Sequence, residues 1–209
     1  SHQVIHFDTT VERSERSWVM GANANLPSDI SVRWVGNVTE DFHARFSAQS
    51  RRYRYVIYNN PIRPALYNQE VTWNYRPLDD RKMARAAQSL VGEHDFSSFR
   101  AAGCQANSPV RTIEFLTVNR FSDFVILDVK ANAFLHHMVR NISGVLMAIG
   151  AGLQHERWVQ EVLQARDRAS GGVTAPPYGL YFIDVDYESG NIPSFGLGPS
   201  FIQPSFETV

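Results

Sequence analysis

Lysine is almost missing from this chain: of 20 basic residues only Lys82 and Lys130 are lysines, and the others are arginines. Arginine favours bidentate contact with phosphate or carboxylate and stacks on aromatic faces, although a GC-rich genome leaves the same bias. Cysteine is scarcer still. Cys104 stands alone, which excludes an internal disulfide framework and a cysteine-based zinc site and points to a reducing cytoplasm. No apolar run approaches the length of a transmembrane helix, and the first residues lack the charged and apolar regions of a signal peptide, so no membrane association is expected. Also missing are a G-x-S-x-G elbow, a phosphate-binding Gly-Lys loop, a dinucleotide fingerprint and metal-ligand spacing. The common hydrolase, NTPase, dehydrogenase and metalloenzyme readings lose support accordingly, and no cofactor is implied.

Acid is missing locally. From Phe42 to Gln69 the chain holds five arginines and no Asp or Glu, and Phe42–Tyr58 alone interleaves five aromatics with four of those arginines. A second acid-free window, Val129–His155, holds Lys130, His136, His137 and Arg140. With a formal net charge of −1 for the whole chain, such windows concentrate positive potential instead of spreading it. Basic residues among tyrosines suit a polyanion whose bases stack, with Arg45, Arg52 and Arg54 as RNA-binding candidates. Solvated strand faces are the competing explanation.

Hydrophobic periodicity predicts strands at Gln3–Asp8, Ile30–Val38, Arg51–Tyr58, Thr112–Val118, Phe124–Lys130 and Gly179–Tyr187. Helices are expected at Val11–Met20, from Asp79 or Asp80 to Gly92, at Ala133–Ile149 and at Glu156–Gln164. From Arg51 onward the order is β-α-β-β-α-(α)-β. It predicts an α+β fold of the split ferredoxin-like kind, an antiparallel sheet with helices on one face and the other face free to bind. The first three elements cannot close a core of their own. The organisation expected is a remnant at 1–45, a ferredoxin-like domain at 46–190 and a poorly anchored Gly/Pro-rich tail at 191–209.

In the long helix, Phe134, Met138, Ile142, Val145 and Ile149 form one buried stripe, and Arg140 falls opposite it. That position is either a solvated face or a place to meet a ligand. Gly144, one turn beyond, admits another backbone or a flat ligand. Tyr53, Tyr55 and Ile57 share one face of their strand, so the tyrosines are either core residues or stacking platforms. Adjacent His136 and His137 point in different directions, and without a nearby carboxylate they make no metal site. The Asp95–Arg100 segment begins a polar loop holding Cys104, Gln105, Asn107 and Ser108, which could touch sugar or phosphate or merely connect.

Five colinear segments together resemble the tRNA pseudouridine synthase A family. They are Asn23–Pro27, Phe42–Ala48, Arg52–Tyr55, Asp95–Arg100 and Asn132–Asn141, and the likeness runs from about Gln3 to Tyr187. The resemblance implies a pseudouridine synthase fold and isomerisation of uridine to pseudouridine in the tRNA anticodon arm, at tRNA positions 38 to 40, by a cytoplasmic, cofactor-free homodimer. By motif, Tyr53 becomes the tyrosine that stacks on the target base and assists proton removal from C5, and Arg140 the arginine that pairs with the catalytic carboxylate. The family carries its nucleophilic aspartate in an Arg-Thr-Asp-x-Gly-Val-His motif, and this sequence contains none. It is therefore expected to be truncated at the amino terminus and inactive alone. The alternative is a non-catalytic RNA-binding module on the same open sheet.

Overall fold

A computed structural model of the chain describes residues 3–188 and 192–193. The polypeptide divides into two compact units, one built mainly from Gln49–Asp186 and the other from Val4–Ala48 with Tyr187–Pro193. The tail expected at 191–209 lies almost wholly outside the described residues.

The larger unit is an open six-stranded sheet in the order β2-β1-β5-β4-β3, with β6 also on β1. The strands are β1 (Ala48–Asn59), β2 (Thr72–Asn74), β3 (Gly92–Asp95), β4 (Val110–Phe121), β5 (Phe124–Ala131) and β6 (Leu180–Tyr187). β1, β5, β4 and β3 pair antiparallel, while β2 joins β1 in parallel. The α+β class with an antiparallel centre thus holds. β2 and β3 are additions to the expected order, and at three and four residues they are too short to show an alternating pattern in sequence.

Three helices cover one face. In α2 (Asp80–Ala87), Asp79 is the N-cap and its carboxylate accepts from the Lys82 N–H at 3.0 Å, the arrangement that satisfies an otherwise orphaned helix donor. Met83 and Ala87 of α2, Ile142, Leu146 and Ile149 of α3 (Met138–Gly150), and Val159 and Val162 of α4 (Trp158–Ala165) meet Tyr55, Ile57, Leu116, Leu127 and Val129 of the sheet. Helix α3 begins five residues later than its apolar pattern predicts. His137 takes a left-handed conformation, φ 58° and ψ 12°, which interrupts helical hydrogen bonding and turns Ala133–His137 into a lead-in.

The opposite face is not bare, contrary to the expectation of a free binding surface. Val56, Val71, Ile126 and Ile183 form a second apolar cluster there, and Arg54 and Asp128 are buried as well.

In the smaller unit, neither Gln3–Asp8 nor Ile30–Val38 is a strand, and the first helix is α1 (Glu15–Asn23), four residues later than its pattern. Ser14 caps α1 through a bond from the Ser17 N–H. The Asn23 side chain holds both the N–H and the C=O of Val32, so a side-chain amide replaces the strand pairing the pattern suggested. Phe42 is the one buried residue among those described in this unit; it packs on Tyr187, whose hydroxyl donates to Ala44 O at 2.7 Å.

Candidate functional site

Strand alternation puts Tyr53 and Tyr55 on the helix-covered face, two residues apart. Tyr55 is fully buried, and its hydroxyl contacts Thr72 Oγ1 at 2.5 Å and donates to Pro176 O at 2.8 Å. Burial pushes its pKa up to about 12, against smaller opposing effects from Thr72 and the charge of Arg140. Tyr55 is therefore a core residue with a wired hydroxyl. Tyr53 is half-buried, with its ring edge-on to Phe134 at 5.1 Å and 5.0 Å from Phe182. Burial raises its pKa, opposed by Arg51. The group is a neutral phenol at physiological pH, with an aromatic surface held in place by two neighbouring rings.

Arg140 lies in the first turn of α3, half-buried. Its Nε donates to Ala175 O at 2.8 Å, while its own carbonyl accepts from the Ala175 N–H at 3.1 Å. That double tie fastens residues 172–176 across the helix. Gly144 permits the crossing, because a Cβ there would collide with the carbonyl of Val173; of the two partners its sequence position allowed, it receives a backbone. A second clasp is polar: Thr174 Oγ1 and Arg168 Nη2 both donate to Asn141 Oδ1, at 2.7 and 3.2 Å. Among the described residues no carboxylate pairs with Arg140, whose guanidinium is oriented by a carbonyl.

The strand arginines are held differently. In the sheet Arg54 lies directly opposite Asp128 and Arg52 opposite Lys130. Arg54 is 1% exposed and donates through Nε to Asp128 Oδ2 at 2.7 Å. Arg52 grips the same carboxylate bidentately, Nε to Oδ1 and Nη2 to Oδ2, both at 2.7 Å, and lies over the Phe115 ring. Lys130 is bridged to Asp186 at 2.7 Å and to Glu114 at 3.0 Å. Like charges directly across a ladder repel, and these acids relieve the Arg52/Lys130 juxtaposition. Burial against Asp128 removes Arg54 from the phosphate-facing surface expected of it, and Arg52 is largely committed. The cavity lined by Ser50, Arg52, Lys130, Asp184 and Asp186 has about 50 Å³, room for water but not for a base. Arg45 lies in the smaller unit, exposed, with its guanidinium 5.7 Å from the centre of the Phe46 ring.

Sequence reasoning named Arg100 only as the end of the Asp95–Arg100 segment and passed over Arg111. The signal was a third acid-free stretch, Phe96–Ile113. Arg100 Nη2 donates to Cys104 O at 2.5 Å and to Ala106 O at 2.9 Å, so it staples the loop of residues 101–109. Arg111 Nη1 donates to Ser108 O and Val110 O, and its Nε is buried without a hydrogen-bond partner.

The match of this chain to known proteins is extensive. A family model described as tRNA pseudouridine synthase matches residues 86–188. The tRNA pseudouridine synthase A of Pseudomonas aeruginosa is 59% identical over 203 residues, 97% of this chain and 71% of the relative. The enzyme of that name from Coxiella burnetii (strain Dugway 5J108-111) is 56% identical over 203 residues, 97% of this chain and 78% of the relative. This chain belongs to the tRNA pseudouridine synthase family. Arg100, Arg111 and Arg140 lie within the family-matched residues; Tyr53 precedes them, inside the stretch shared with the longer alignments. Among the described residues no helix is long and apolar enough to cross a membrane.

Proposed function

We propose that the chain carries part of the site that converts uridine to pseudouridine in the tRNA anticodon arm, at tRNA positions 38 to 40, in a cytoplasmic homodimer. In this reading Tyr53 stacks on the target base and Arg140 pairs with the nucleophilic carboxylate. The observation that carries it is Arg140 itself, a guanidinium anchored through Nε on Ala175 O with no acid among the described residues. Such a group presents its remaining donors to an anion from elsewhere. The neutral, ring-supported phenol of Tyr53 supports a stacking role, and in this reading its hydroxyl assists removal of the C5 proton.

The reaction breaks the N1–C1′ bond, turns the base, forms C5–C1′, releases the C5 proton and leaves one on N1. Atoms and electrons balance without a redox partner, so no cofactor is required. A carboxylate nucleophile is required in the family's chemistry. Residues 1–209 contain no Arg-Thr-Asp motif, and positioning by Tyr53 and Arg140 does not replace it. Arg45 remains an RNA-facing residue in this reading, whereas Arg52 and Arg54 serve chiefly to hold Asp128.

Tritium release from tRNA labelled at uridine C5 tests the proposal. Residues 1–209 should release none above background, while protein that includes the Arg-Thr-Asp segment turns over. In that longer protein Arg140→Ala should lower kcat by roughly 10²-fold or more, the scale of losing a charge-stabilising donor. Tyr53→Phe should retain binding better than Tyr53→Ala. Turnover by residues 1–209 would mean that another carboxylate here acts as nucleophile. An unimpaired Arg140→Ala would remove that residue from the chemistry.

A further inference from the structure

Arg100, Arg111, Arg140 and Arg168 share a property that Arg52, Arg54, Arg85 and Arg120 lack. Each is held by neutral acceptors alone among the described residues: backbone carbonyls for Arg100, Arg111 and Arg140, and Gly172 O, Asn141 Oδ1 and Thr174 Oγ1 for Arg168. The other four are ion-paired with Asp128, Glu156 or Asp80. A carbonyl orients a guanidinium but cancels little of its charge at a distance, because a dipole's field decays faster than a monopole's.

Three of these unneutralised arginines form a continuous track with two histidines. Arg111 is close enough to Cys104 and Arg100 to feel both electrostatically. Cys104 Sγ accepts from the His136 N–H at 3.3 Å, and the Ala101 N–H donates to His136 O at 3.0 Å. The His136 and His137 rings lie 3.9 Å apart, and His137 feels the charge of Arg140. His136, His137, Gln105, Asn107 and Ser108 are exposed along this track. The Cys104 thiol is a built-in gauge of the local field. Burial acts against its ionisation, yet the N–H groups of His136 and Ala106, together with the Arg100 side chain, outweigh burial and hold its pKa below the ordinary thiol value. The surface thus favours negative charge at Sγ more than the surroundings of an ordinary thiol do. Arg111 Nε is buried and without a hydrogen-bond partner, so no acceptor within the fold offsets the desolvation of that edge of the guanidinium.

We infer that the loop of residues 101–109, with Arg100, Arg111 and His136, is a contact surface for the phosphodiester backbone of tRNA. The inference rests on the tRNA reading above but not on the roles of Tyr53 and Arg140. Phosphate contacts of this kind position the RNA without reading its sequence.

The test uses residues 1–209 and unmodified tRNA, with binding followed by filter retention over a salt series. Arg111→Gln, which can still donate to Ser108 O, should weaken binding several-fold and reduce the log–log salt slope by about one. Arg111→Lys should restore the slope. Arg85→Gln, at an exposed pair with Glu156, should change neither. In parallel, alkylation of Cys104, the only thiol in the chain, by neutral iodoacetamide should slow at least tenfold under saturating tRNA, because added phosphate raises the thiol pKa and covers the loop. Inorganic phosphate at matched ionic strength should not reproduce that protection. Bound tRNA with an unchanged slope for Arg111→Gln and full alkylation of Cys104 would overturn the assignment while leaving the Tyr53 and Arg140 reading to its own turnover assay. Absence of tRNA binding, or equal protection by inorganic phosphate, would overturn it too.

Discussion

Arg54 and Arg140 carry the same group in opposite company. Arg54 is sunk in the sheet with its charge answered by Asp128, while Arg140 leans on a carbonyl at the start of α3. A carboxylate makes a buried guanidinium tolerable and silent; a carbonyl fixes its direction and leaves its field intact. Counting arginines along the sequence therefore misjudges where positive potential emerges. In the richest run, in β1, Arg52 and Arg54 are both tied to Asp128 across the ladder, whereas Arg100, Arg111 and Arg140, near α3 and the loop of residues 101–109, have no such acid among the described residues.

The strongest way to break this contrast is Asp128→Asn. It strips the anion from two arginines at once, one of them 1% exposed, and should cost about 3–5 kcal/mol of stability, the usual penalty for orphaning one side of a buried pair. Urea unfolding measures it. A loss below about 1 kcal/mol would mean that Arg54 finds other compensation, whereas Arg54→Met with Asp128→Leu should recover much of the loss.

The carbonyl-held side is sharpened through Tyr55, which bonds Pro176 O in the same strap that Arg140 grips through Ala175. Tyr55→Phe should cost about 1–2 kcal/mol. With a folded pKa of about 12, above the ordinary phenol value, Tyr55 binds its proton more tightly folded than unfolded. Its contribution is complete below the unfolded pKa and is lost as pH rises from that value through the folded one. Urea midpoints of the native chain should thus fall more steeply above pH 10 than those of Tyr55→Phe; parallel curves would remove Tyr55 as the source.

Arg140→Gln removes one hydrogen bond to a neutral acceptor and should cost only about 1 kcal/mol, far less than Asp128→Asn, and the same unfolding assay ranks the two. Arg85→Gln, at the exposed Glu156 pair, should leave the thermal midpoint unchanged within error.

Much of the fold was readable because its signals are local. Asp79 as a helix cap, the apolar stripe of α3 from Met138 to Ile149, and the alternation of β1 each need only a short window. The candidate site was readable in part. Arg140 and Tyr53 came from motif resemblance, and their positions on α3 and on the helix-covered strand face accord with the periodicities. What escaped depends on register. Asp128 sits one residue before the acid-free window that opens at Val129, and only pairing of β5 with β1 places it opposite Arg54. The late start of α3 escaped because a left-handed histidine has no compositional signature. Arg111 escaped because its loop lies far in sequence from His136 and meets it only in the fold, through Ala101 and Cys104.

The strap of residues 172–176 has a kinetic consequence. It can be laid down only on a formed α3, since its partners are Arg140, Asn141 and the bare backbone at Gly144, and the Arg140–Ala175 bond spans 35 positions. Closing so long a loop before the helix exists costs chain entropy with no contact in return. Docking of the strap then belongs to the native side of the folding barrier, and loosening it, for example by Thr174→Val, speeds unfolding while leaving the folding limb of the chevron nearly untouched. Local opening of the strap would then release Arg140 without global unfolding, and hydrogen exchange at the Ala175 N–H faster than at the core of the sheet is the expected sign of it.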